Sequence, residues 1–145
     1  MVTIFKYLFL LIILLAATVQ DLRTSKISNQ IILLGLLSGL IFQLYANGLP
    51  GILAGVCGFL FSIFLLFPIF TIHGLGAGDI KLIAVVSCFL SIVQFKTILI
   101  FIVAALFIGA IQSVFLRMIQ HHFPKTIHFS IPILISAILH MGGVY

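Results

Sequence analysis

Negative charge is almost missing from this chain of 145 residues: glutamate is absent, and Asp21 and Asp79 are the only acidic side chains. Tryptophan is absent too, and charged residues make up 6% of the sequence while 63% is hydrophobic. Soluble domains keep about a quarter of their residues charged, so a water-exposed fold is excluded and a lipid bilayer is the expected surrounding. The two cysteines, Cys57 and Cys88, both sit inside apolar segments, which excludes a disulfide framework and leaves them as small hydrophobes. The seven basic residues give a formal charge of +5 but are scattered without a cluster, so no phosphate-binding stripe exists and nucleic acid is excluded as a partner.

What is present is a succession of apolar runs: Val2 to Val19, Ile27 to Ala46, Ile52 to Ile72, Ile80 to Val93, Thr97 to Leu116 and Phe129 to Val144. Most approach the ~20 residues that a helix needs to cross a bilayer. The expected fold is all-α, a polytopic bundle of six transmembrane helices forming one membrane-embedded domain over residues 1–145. A cleaved signal peptide would also explain Lys6 ahead of an apolar run, but the long run from Tyr7 to Val19 fits an uncleaved first span better. The fourth run would cover only about 21 Å, which implies a thinned bilayer or a glycine loop dipping below the headgroups. Arg23, Lys26, Lys81, Arg117 and Lys125 fall in alternate connections. The positive-inside rule then places those loops in the cytoplasm and both termini outside. Gly51, Gly55 and Gly58 suit close helix contact.

Both aspartates consequently fall at the cytoplasmic boundary. Asp79 lies in the stretch HGLGAGDIKL, His73 to Leu82, between a glycine run and an apolar helix. It is a natural N-cap for that helix. Asp21 follows the first span, where a carboxylate faces the unfavourable end of the helix dipole. A solvated loop charge paired with Arg23 or Lys26 is its plain alternative. Two carboxyl groups brought close share a proton, and such a pair activates water: one member accepts a proton while the other donates to the carbonyl or the leaving nitrogen. By its place at a helix start near Lys81, Asp79 is expected to ionise first and act as base, with Asp21 as acid. Gly76 and Gly78 would let a substrate backbone approach. Asn29 is placed to hydrogen-bond Asp21 or a substrate.

These residues carry a resemblance. Gly76-Ala77-Gly78-Asp79-Ile80-Lys81-Leu82 resembles the Gly-x-Gly-Asp-x-Lys-Leu signature of type IV prepilin peptidases, and Asp21-Leu22-Arg23 followed by Ile27-Ser28-Asn29 resembles their first-aspartate motif. That motif usually has proline where Ser28 stands. FSIPILISAIL, around Pro132, is similar to the family's last helix.

The resemblance implies an aspartic endopeptidase of the cytoplasmic (inner) membrane that removes the basic leader from prepilins or pseudopilins, serving type IV pili and protein secretion. Asp21 and Asp79 would be its catalytic pair, with Gly76, Gly78, Lys81, Arg23 and Asn29 in support. No cofactor or metal is expected. Members that also methylate the new amino terminus carry paired Cys-x-x-Cys motifs, and these are not in the sequence, so N-methyltransferase activity is not expected. The competing reading is a small cation transporter or channel lined by the same two aspartates. His121, His122 and His128 lack acidic or thiolate neighbours, so lipid headgroups suit them better than a metal. His73 is placed to touch a substrate near Asp79.

Overall fold

The computed structural model describes residues 2–71, 75–120 and 128–143. Among these run five helices: α1 (Val2–Thr24), α2 (Asn29–Thr71), α3 (Ala77–Leu90), α4 (Phe95–Gln120) and α5 (Ser130–Met141), with a short 3-10 turn at Ile92–Gln94. The all-α class is as expected. The bundle of six separate helices is not: the second and third apolar runs belong to one 43-residue element, α2, which bends at Gly48 without an intervening loop.

Gly48 has φ 65° and ψ −152°, a conformation essentially confined to glycine, and Pro50 follows where the chain resumes its helical course. The bend reverses the chain. On the first limb Gly35 abuts Val85 and Gly39 abuts Phe89, whereas on the second Gly55 abuts Cys88 and Ser62 bonds Ser87. The first limb therefore ascends α3 and the second descends it. The small residues of the second limb make the close helix contact that their spacing suggested, with Gly51 against the backbone of Gln43.

Three helices are long and apolar enough to cross a membrane: α1 over Ile4–Thr24, α2, and α4 over Phe95–Leu116. Their outward faces are apolar. On α1, Ile4, Leu8, Ile12, Leu15 and Val19 form an exposed stripe at helical spacing, the opposite of what water would favour. The inward stripe is Leu10, Leu14 and Ala17, and continuing it by one more turn brings Asp21 to the interior.

α3 is the axis of the molecule. Every residue from Leu82 to Leu90 is buried, so a helix of 14 residues needs no match to the thickness of the lipid. Enclosure in protein is thus what surrounds this short run. Polar ties hold it in place. The Gln43 side-chain amide donates to the carbonyls of Cys88 (3.1 Å) and Phe89 (2.7 Å), two acceptors that the end of α3 leaves open. Ser62 donates to Ser87 at 2.6 Å, and Ser87 donates to the carbonyl of Ile83 at 3.0 Å.

Replacing Gly48 with alanine should force a side chain into this left-handed geometry and cost roughly 1–3 kcal/mol. Thermal unfolding in detergent should show the loss, and an unchanged midpoint would mean that the bend is not strained.

Candidate active site

The connection from α1 to α2 is closed by local hydrogen bonds. Ser25 adopts a positive φ of 53°, its amide donates to the carbonyl of Asp21 at 2.7 Å, and Thr24 Oγ1 donates to the carbonyl of Lys26 at 2.9 Å. The Ser28 amide donates to Gln20 Oε1 at 2.8 Å, and Ser28 Oγ accepts the Ile31 amide at 3.4 Å, capping α2. Proline at position 28 has no N–H for Gln20, so the departure from the first-aspartate pattern gives this turn a bond that proline would forgo.

Asp21 is buried, 7% exposed, and far from the solvated loop charge that was the plain alternative. Ser130 Oγ, itself fully buried at the start of α5, donates to Asp21 Oδ2 at 2.6 Å. His128 Nδ1 stands 3.4 Å from the same oxygen. The start of the last helix and the residue two positions ahead of it thus supply two polar groups to the end of the first.

Asp79 is half-buried at the third residue of α3, whose N-cap is Gly76, so it is not the N-cap that its position suggested. Its carboxylate folds back over Gly76, where a Cβ would stand 2.9 Å from Oδ2. That glycine therefore makes room for the acid. Asp79 precedes the apolar run of α3 and lies outside the three spanning helices. Burial pushes its carboxyl up to about 6 from an ordinary 3.8, the charge of Asp21 adds to the rise, and the Gly76 backbone and His128 oppose it. Burial thus works against the ready ionisation expected of Asp79.

Both aspartates line one cavity of about 340 Å³, together with Asn29, Gly76, Gly78 and Lys81. Lys81 Nζ donates to Asn29 Oδ1 at 3.1 Å, so the two form a bridge between α3 and α2 on the rim, and Asn29 is engaged by the lysine. Gly78 faces Ile27, where a Cβ would be tight at 3.3 Å. Arg23 is exposed and does not line the cavity. His73, Gly74, His121, His122 and Lys125 lie outside the described residues.

A second cavity, of about 230 Å³, opens on the other side of Asp79 and Gly76 and is lined by apolar groups of α2, α4 and Phe129. Phe129 packs directly over Gly109, where any side chain would strike its ring. Ser130, Phe129 and Gly109 are not marked as site residues by the sequence, and His128, expected to lack an acidic neighbour and to meet lipid headgroups, instead stands beside Asp21. A polar pair, His128 and Ser130, flanking the entry of an otherwise apolar helix was the available signal.

Residues 8–114, which include both aspartates, match the Type IV leader peptidase family. The chain belongs to that family and is a membrane peptidase. No curated protein and no solved structure matches it.

Ser130→Ala should leave a buried carboxyl group short of a donor and destabilise the protein by about 1–3 kcal/mol in detergent unfolding, whereas an unchanged midpoint would show that the bond contributes nothing. Because the folded value of Asp79 lies above its unfolded one, the native state holds this proton more tightly. Its contribution to stability is then fully present below pH 3.8 and is lost as pH rises to about 6. Asp79→Asn should flatten that part of the stability profile, and a parent-like slope in the variant would contradict the assignment.

Proposed function

We propose that this chain is an aspartic endopeptidase that cleaves the basic leader of a prepilin or pseudopilin at the cytoplasmic face of the membrane. The observation that carries the reading is the convergence of Asp21, from the end of α1, and Asp79, from the start of α3, on one cavity beside exposed Lys26 and Lys81. Family membership favours peptide cleavage over a cation path.

In this mechanism Asp21 is the base and Asp79 the acid. A water held between them gives a proton to Asp21 as its oxygen adds to the peptide carbonyl carbon. Asp79, which burial and its neighbour help to keep protonated, donates to the carbonyl oxygen. Transfer of a proton to the amide nitrogen then breaks the C–N bond and releases the leader. Protons are exchanged within the pair, so the titration belongs to the dyad as a whole.

The substrate should carry an apolar helix that lies in the bilayer and basic residues beyond the cut. The rim is itself basic, so a cationic leader is not drawn by a broad acidic surface. Attraction must come from the carboxylates or from anionic lipid. Positive-inside counting places the site in the cytoplasmic leaflet of the inner membrane, with both termini outside.

Co-expression with candidate prepilins tests the reading. The parent should yield a shortened product, and Asp21→Asn and Asp79→Asn should each lower its rate of formation by at least ~100-fold, the scale of losing a general acid or base. Normal processing by either variant would remove the aspartate mechanism. Activity should also fall as pH rises above about 6, where Asp79 loses the proton it donates. A rate that keeps rising through that range would exclude Asp79 as the acid.

A further inference from the structure

A cavity of about 530 Å³ lies at the end of the molecule away from the aspartates, lined by Lys6, Gln43, Asn47, Ser91 and Gln94 among others. Fifteen positions of α1 separate Lys6 from Asp21, about 22 Å along the helix. Asp79 is likewise at the far end of α3, since Ser91 directly follows the last residue of that helix. Neither side-chain carboxylate of the chain can therefore neutralise Lys6, whose described partner is the face of the Tyr7 ring at 5.9 Å.

Asn47 and Ser91 offer hydrogen-bond donors to the same space. Gln43 commits its amide nitrogen to the end of α3 and accepts from Asn47 Nδ2 at 3.3 Å, which leaves Asn47 a further N–H. Ser91 is 5% exposed, holds a φ of 69°, and among the described residues its Oγ has no hydrogen-bond partner. A buried hydroxyl with nothing to bond costs about 1–3 kcal/mol. A half-buried ammonium with no acid beside it among the described residues, and a hydroxyl with no partner among them, facing one cavity, are the complement of an anionic oxygen cluster.

We propose that this cavity binds a phosphate group, with Lys6 supplying charge and Ser91 and Asn47 supplying hydrogen bonds. Its place at the end of the spanning helices makes the phosphodiester of an anionic phospholipid one source and soluble phosphate the other. The site is separate from the peptidase centre and does not rest on the proposed cleavage.

Native mass spectrometry of the full-length protein in neutral detergent separates the two sources, with phosphatidylglycerol and inorganic phosphate added in parallel. The parent should retain one lipid or one phosphate. Lys6→Gln should weaken that binding at least ~10-fold, as expected for losing a charge-assisted bond, with Lys96→Gln as a surface control that binds like the parent. Retention of the lipid alone assigns the site to the headgroup, and retention of inorganic phosphate with the same dependence on Lys6 assigns it to the free ion. Equal binding by the parent and Lys6→Gln, or an equal loss in Lys96→Gln, overturns the proposal. If Lys6→Gln fails to fold by circular dichroism, Ser91→Ala decides: weaker binding supports the site, and parent-like binding rejects it.

Discussion

The structure depends on the complete enclosure of α3. A helix of 14 residues reaches only about 21 Å and would be a poor spanning segment in lipid. Held between the two limbs of α2, and closed in by α1, α4 and α5, it becomes instead the internal column against which the other helices are packed. Enclosure also sets the electrostatics of its first turn. Asp79 enters the protein with that turn, and partial loss of water raises its affinity for a proton before any substrate arrives.

The second carboxyl group reaches the same place by a different route. Asp21 ends the inward stripe of a spanning helix and is buried against the beginning of α5, where Ser130 bonds it. Position 21 is thus fixed by packing along α1 and by a hydroxyl 109 residues away in the chain. The two acids differ in surroundings: Asp21 has a dedicated donor in Ser130, whereas Asp79 folds back over Gly76 and is held protonated chiefly by burial. Unequal environments of this kind push the proton affinities of a pair apart, which is what dividing acid and base roles requires.

Much of this was legible in the sequence, and the exceptions have physical causes. The scarcity of charge identified a membrane protein, and the isolation of Asp21 and Asp79 in such a background marked them for attention. Hydropathy resolved the apolar runs but counted α2 twice, because a polar, glycine-bearing bend at Asn47 and Gly48 looks like a loop whether or not the chain has one. His128 and Ser130 stand out locally only as a polar pair at the entry of an apolar helix, and their contact with Asp21, made across most of the chain, is not visible in that pattern. The ready ionisation expected of Asp79 rests on the helix dipole and Lys81, both visible in sequence, while the burial that raises its proton affinity belongs to the folded state. Arg23 stands next to the motif in sequence but is exposed and does not line the cavity.

Enclosure has a consequence at the other end of the same helix. Terminating α3 inside the bundle leaves its last carbonyls buried, and Gln43 satisfies two of them. The polar residues gathered there, with Lys6 and Ser91, line a second polar cavity at the end opposite the aspartates. One buried column thereby organises a polar cavity at each end in a chain that is otherwise apolar.

The central claim is that Asp21 and Asp79 lie close enough to influence each other's protonation. Infrared difference spectroscopy of the carboxyl stretch, followed across pH in the parent and in Asp21→Asn, tests it most directly. The account predicts a protonated Asp79 band that titrates near 6 in the parent and at lower pH once the Asp21 charge is removed. A band that titrates at the same pH in both proteins would show that the two carboxyl groups do not interact, and would contradict a shared site.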